Sequence, residues 1–413
     1  MAGLAEGVQG VVAYSPYATG VITPNVENLA PPTANAQYLR RVSSSLNLKT
    51  AAYVSQEIRP DMQIADARHG THNVTGDIMG EFSPGTYFDF FEAVHRDTRA
   101  AAITSSQTNF TSIATSNAGT ITLGSGNPVT TGFQVGDLIR LTGTTGNAAD
   151  NINFVITGFS GTNNEVIAVT PSPPTTAAST IFTMDGVGYS TKVPASGQVS
   201  RLWGIEIFHE DISVSRLFTE VRASKYSLKL PATGLAEVTL GFMGRDMVTN
   251  TTQYYSAANA VTTTTAFAAV NGQLLLNGTS VGVITGLDLT CDLKPTAADV
   301  VGQNFPGEIF LGRADITGQI SAYLTDDSLF NDFVNETELQ LLVQVASGYA
   351  ANAPAVVIFL PAIKLNGADL ALQGEAGQMI TAPFQALRYQ GTAPGVPSTT
   401  IRIVDTQAVT GVL

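Results

Sequence analysis

Polar and apolar positions alternate in several short runs, and one of these runs occurs twice. From Asn73 to Phe82 the even positions are Val74, Gly76, Ile78, Gly80 and Phe82, and the odd ones are Asn73, Thr75, Asp77, Met79 and Glu81. A period of two with one polar side predicts a half-buried strand. Ser83-Pro84 then reads as a helix N-cap with proline at the first helical position. Tyr87, Phe88, Phe91, Val94 and His95 supply an apolar stripe at helical spacing. The same order returns 242 residues later, where Ile316, Gly318, Phe330 and Phe333 stand in for Val74, Gly76, Phe88 and Phe91. Thr325 replaces Ser83 as the cap, and Asp326 and Asp327 suit the positive end of a helix dipole. The spacing predicts a strand-then-helix unit carried twice, with Phe88, Phe91, Phe330 and Phe333 packing the two helices onto their sheets.

Other strands fit around these units. Leu46, Leu48, Tyr53, Val54 and Ile58 open the first; Tyr226, Leu228 and Leu230 alternate with Lys225, Ser227 and Lys229. A turn at 232–234 leads to a return strand through Val238, Leu240 and Phe242. In the second half, 356–359 and 363–365 run into Asn366-Gly367, a hairpin signal, and 379–384 and 401–404 follow. Residues 1–37, with Pro24, Pro31 and Pro32, read as an extended arm to be ordered by a partner. Residues 105–185 have almost no charge and are built of Thr, Ser, Asn and Gly around β-branched runs, including Gly132 to Leu141. They read as a small inserted β domain projecting outward from a loop. The expected organisation is an arm at 1–37, a first unit at 38–104 and 186–260, the insert at 105–185 and a second unit at 261–413.

Composition favours an assembly part over a catalyst. Of 413 residues only 13% are charged, about half the usual share. A chain whose surface is covered by identical neighbours is expected to look like this, because interface cores are depleted in charge. Its 39 glycines and 19 prolines favour short strands and tight turns. The net charge of −13 argues against gripping nucleic acid, but an acidic wall suits a passage through which a phosphate backbone must not stick. Cys291 is the single cysteine, so an internal disulfide framework and a cysteine zinc site are excluded; it is expected to be a buried thiol. No charged-then-apolar leader is visible and no apolar run approaches a membrane span. The chain is therefore expected to be made and kept in a cytosol-like compartment, away from membranes.

Candidate chemistry is sparse. Gly278-Thr279-Ser280-Val281-Gly282 satisfies a nucleophile-elbow pattern, but His69, His72, His95 and His209 all precede Ser280, whereas that fold places its histidine last. A hairpin turn after Leu274-Leu275-Leu276 explains the segment better. His69 and His72 lie near Asp66 and Arg68 with no third metal ligand in range, and read as a solvated turn. No catalytic residue, metal or cofactor is expected.

The order of elements, and its repetition, resembles the tail tube (major tail) proteins of tailed bacteriophages, chiefly those with long flexible tails. The stretches that carry the likeness are Leu39 to Glu57, the Val-Thr-Gly strand with the aromatic helix Thr86 to Val94, Ser224 to Phe242, and their second copies. The resemblance implies a mainly β fold of two tandem β-sandwich domains, each with a flanking helix, plus the insert. It implies inner strands that join those of neighbouring copies into a β-barrel, and rings that stack into a conduit for genomic DNA. Because this chain carries two units, trimeric rings with pseudo-sixfold symmetry are expected, alongside other tail proteins in a virion assembled in the host cytoplasm. If the polar faces of the repeat strands line the channel, the lining residues are Asn73, Thr75, Asp77, Glu81, Asp315, Thr317, Gln319 and Ser321. Those two strand faces carry no Lys or Arg, as a non-stick wall requires. The alternative is a virion adhesin or capsid-decorating protein that displays the insert.

Overall fold

Alternating strands of this kind bury one side only, and they satisfy their backbone groups by lying edge to edge. In the computed structural model, which describes residues 6–408 other than 19, 24–25, 65, 107, 144–148, 281–283, 325–326, 349 and 371–376, the chain is mainly β. In chain order its principal elements are β1 (Gly10–Pro16), β2 (Asn47–Val54), β3 (Ala67–Glu81), α1 (Phe88–His95), β4 (Trp203–His209), β5 (Val214–Pro231), β6 (Glu237–Gly244) and β7 (Ile284–Asp292). They continue with β8 (Asp315–Tyr323), α2 (Ser328–Val334), β9 (Leu339–Ala346), β10 (Ala355–Leu365), β11 (Asp369–Leu370), β12 (Met379–Ala386) and β13 (Arg402–Asp405).

One antiparallel ladder organises the molecule. It runs β2, β3, β6, β5, β7, β8, β12, each strand paired with the next. The end of β10 and then β11 pair with β12 on its far side. One face of this ladder holds Val74, Ile78, Leu240, Tyr226, Leu289, Ile320 and Phe384, all buried in the main core. A second layer covers that core. It is built from β1, β4 and the first half of β5 over one end, and from β9, β10 and β13 over the other.

The two strand-then-helix units occupy matching places in the ladder. Gly76 faces Phe242 and Ile78 faces Leu240, while Gly318 faces Phe384 and Ile320 faces Ala382. The next ladder out agrees as well: Ala223 faces Phe242 and Leu228 faces Val238, while Leu365 faces Phe384 and Leu370 faces Ile380. Both of these outer ladders slip by one residue along the way, at 223–225 in one and at 365–369 in the other.

Aromatic packing fixes α1 between the layers. Phe90 lies 4.8 Å from Tyr14 and 5.3 Å from both Trp203 and Phe242, and Phe91 lies 5.0 Å from Tyr226, measured between ring centroids. Phe88 and Phe91 are both buried there. The cap differs from the sequence expectation. The helix starts at Phe88, not at Pro84, and Tyr87 in the cap position makes no side-chain cap bond. Ser83 is spent instead on a 2.7 Å hydrogen bond with Thr86 in a buried turn. The second helix differs more. Phe330 is half-buried and Phe333 is 37% exposed, so that stripe does not sink into a core as the first does. Its expected caps Thr325 and Asp326 lie outside the described residues, and Asp327 makes no side-chain cap bond.

Three further expectations are revised. The segment 1–37 is not a free arm over its described length, because β1 pairs with β4 from Gly10 to Pro16 and Ile22 is buried against Ile309. Val11 to Tyr14 can do this because their backbone and side chains complete an edge already in the same chain. Asn366-Gly367 is not a two-residue hairpin turn. Asn366 N–H donates to Pro383 O at 2.7 Å, so the pair bridges β10 and β11 while staying on β12. Residues 104–186 form their own eight-stranded sheet around a separate core with Phe154, Ile139 and Ile167. That sheet does not stand clear of the molecule: Val135, Leu138 and Val155 pack on Val357, Phe359 and Val404, and Arg402 pairs with Asp137.

Candidate functional site

Residues directly opposite in an antiparallel ladder point to the same side of the sheet. The ladder therefore shows which polar residues share a face. One row runs Asp77, Gly241, Lys225, Asp292, Asp315. A second runs Met79, Thr239, Ser227, Thr290, Thr317, Gln385, and a third Glu81, Glu237, Lys229, Asp288, Gln319, Pro383. Asn73 faces Lys49, Thr75 faces Asn47, and Ser321 faces Gly286 and Thr381. All eight residues singled out in the sequence thus lie on one face of one sheet, opposite the core. Asp77, Glu81 and Thr317 are exposed; Asn73, Thr75, Asp315, Gln319 and Ser321 are half-buried.

The electrostatics of this face are not those of the two repeat strands alone. Folding inserts Lys225 and Lys229 between the repeat strands and adds Lys49 at one end, so the face as a whole does carry lysines. The carboxylates of Asp77, Glu81, Glu237, Asp288, Asp292 and Asp315 still outnumber them. Lys225 stands opposite Asp292 and Lys229 opposite Asp288, which suits cross-strand attraction. Glu81 faces Glu237, a like-charge pair costing about 0.2–1 kcal/mol. At the edge of the face, hydrogen bonds from Lys294 and from Gln385 hold Asp315 below the usual carboxylate range.

Sequence reasoning missed Lys49, Glu237, Asp288 and Asp292 as members of this face. The signal was partly present, since Lys225, Ser227 and Lys229 alternate with buried residues. Which strand lies beside which is set by tertiary pairing, and no local pattern carries it.

The other candidates do not converge on a site. His69 and His72 lie in β3, not in a turn, and the register slips between them, so that they stand opposite Ala52 and Thr50. His72 Nε2 is 3.0 Å from Asp246 Oδ1. Among the described residues no cluster of potential metal ligands occurs. Ser280 lies in a short hairpin, paired with Leu275 across a turn at Asn277-Gly278; Val281 and Gly282 lie outside the described residues. Cys291 is buried on the core side, and burial pushes its thiol up to about 12. No described helix is long and apolar enough to cross a membrane.

The two strand-then-helix runs thus lie in one ladder and share one polar face. A family model described as phage tail tube protein matches residues 7–386. The chain belongs to the phage tail tube protein family. A comparison with individually curated proteins gave no match. As a member of a tail tube family the chain is a structural component of the virion tail that self-assembles with other tail proteins, and the family is not a catalytic one.

Proposed function

We propose that three copies of this tail tube protein form a ring, each supplying two equivalent places, and that rings stack into the conduit through which DNA is ejected from a long, flexible tail. The polar face from Asn73 to Glu81 and from Asp315 to Ser321 lines the bore. The observation that carries this reading is the continuity of that face across β3, β6, β5, β7 and β8, with the two units held in the same strand registers. A single chain leaves the outer edge of β2 unpaired among the described residues, and closing a ring removes such edges. The excess of carboxylates repels phosphate, and the interspersed lysines Lys225 and Lys229 stand opposite Asp292 and Asp288 on the adjoining strand. Assembly takes place in the host cytoplasm.

Negative-stain imaging of the purified chain tests the reading. Hollow rods, or rings with threefold or near-sixfold outlines, are expected. Solid particles or monomers at every concentration would refute it.

A further inference from the structure

The two units meet inside the chain at the ladder between β5 and β7. There Ser227 faces Thr290, Leu228 faces Leu289, Lys225 faces Asp292 and Lys229 faces Asp288. Each of these strands has a counterpart with a free side. Position by position, Ser227 and Leu228 of β5 correspond to Asp369 and Leu370 of β11, because they face Thr239 and Val238 as Asp369 and Leu370 face Thr381 and Ile380. Thr290 of β7 corresponds to Asn47 of β2, because they face Thr317 and Thr75. Among the described residues β2 pairs only with β3, and β11 only with β12. Asn47 and Asp369 are both exposed.

We infer that β11 of one chain adds to β2 of a second copy in the register set by the internal joint, with Asp369 opposite Asn47 and Leu370 opposite Leu46. This inference rests on the tube reading and goes further, by naming which strands meet and how they align. Side-chain chemistry supports it. Leu46 is buried and Leu370 half-buried, so an apolar pair falls on the core side, as Leu228 and Leu289 do within the chain. On the polar side Lys49 comes diagonally beside Asp369, within reach of a long side chain.

The charges at the two joints are exchanged, and this selects the partner. Inside the chain the lysines stand on β5 and the carboxylates on β7. At the free edges the carboxylate stands on β11 and the lysine on β2. If β2 were added to β5 in this register, Lys49 would lie opposite Lys225. If β11 were added to β7, Asp369 would lie between Asp288 and Asp292. Both β5 and β7 are already paired on each side within the chain, so either joint would have to displace an internal neighbour, and the like charges add to that barrier. The permitted order is one second unit against the next chain's first.

Cysteine pairs test the register in the full chain. Directly opposed residues have Cα atoms about 4.5–5.5 Å apart, within the span of a disulfide. Asn47→Cys with Asp369→Cys, assembled and treated with diamide, is expected to give covalent multimers on a non-reducing gel. Ala52→Cys with Asp369→Cys places the thiols about 16 Å apart and is expected to give none. Tubes that form without the 47–369 link, or that link 52 to 369 equally well, would overturn the register and leave the tube reading standing. Failure of the unmodified chain to form tubes or rings would overturn the tube reading and this joint with it. If the cysteine variants do not assemble, the charge pair decides. Lys49→Asp is expected to lower the yield of tubes at low salt at least several-fold, and adding Asp369→Lys to restore it; no restoration would overturn the proposal.

Discussion

Gly318 lies opposite Phe384 on β8 and β12, and a Cβ on Gly318 would come within 2.3 Å of the Phe384 ring. Gly76 lies opposite Phe242 in the same way, and a Cβ there would meet the Leu46 backbone at 2.5 Å. The glycines of the Val-Thr-Gly and Ile-Thr-Gly runs are thus explained by close approach in both units. Gly318→Ala also meets the Asp288 carbonyl, which cannot rotate away. It is expected to destabilise the fold by about 1–3 kcal/mol, read as a lowered midpoint in urea. Gly76→Ala is expected to do the same.

Arg245 and Glu220 form a fully buried ion pair at 2.6 Å where β5 bends from one layer to the other. Arg245 also donates to Thr23 O, Val26 O and Pro306 O, and so ties the N-terminal segment and the β7–β8 connection to that bend. Arg245→Met leaves a carboxylate buried without its cation and is expected to cost about 3–5 kcal/mol. Arg245→Met with Glu220→Gln is expected to recover part of that loss, measured by chemical denaturation of the three proteins.

His95 is buried in α1 with its Nε2 2.8 Å from the Tyr226 hydroxyl, and burial pulls its pKa down to about 3. An unfolded histidine titrates near 6.5, so below that pH the unfolded chain binds the proton that the folded chain refuses. Stability contributed at this site is complete above about pH 6.5 and falls as pH drops toward 3. Between pH 6.5 and 4.5 the loss is about 2 kcal/mol. His95→Gln removes this contribution, so the difference in unfolding free energy between wild type and variant is expected to shrink or reverse as pH falls. A difference independent of pH would contradict it.

Asp77 and Glu81 are exposed on the polar face. Replacing both by Lys is expected to leave tubes intact, because the ladder and the core are untouched, while slowing or blocking DNA ejection from particles. Normal ejection would count against a channel role for this face.

The insert offers a further check. Removing residues 105–185 uncovers Val357 and Phe359, which pack against Val135, Leu138 and Val155. The shortened chain is expected to aggregate, and Val357→Thr with Phe359→Thr to restore solubility and tube formation. With the same two threonine substitutions, an adhesin would lose attachment to its target along with the insert, whereas a tube protein keeps its assembly.

Much of this fold could be read in the chain because its half-buried strands follow a period of two. The alternation at 73–82 and at 225–230 marks strands and their inner faces, and the recurrence after 242 residues marks the second unit. What could not be read depends on contacts distant in sequence. β1 lies on β4, nearly two hundred residues away, so its short apolar run looked like a loose arm. The run from Val356 to Leu360 is apolar without a break, which fits a strand covered on both sides, and the insert supplies the second cover. Ser83-Pro84 carries a sound capping pattern, yet a 2.7 Å bond to Thr86 holds that serine in a turn ahead of the helix. The mixed charge of the polar face was hidden for a related reason, since Lys225 and Lys229 reach it only when β5 lies beside β7.

A three-dimensional reconstruction of the assembled tube tests the central claim most directly. The account predicts a bore walled by β3, β6, β5, β7 and β8 from each of three chains per ring, with Asp77, Glu81, Asp288 and Gln319 pointing inward. A bore walled by other strands, or a tube in which that polar face points to the outside, would contradict it.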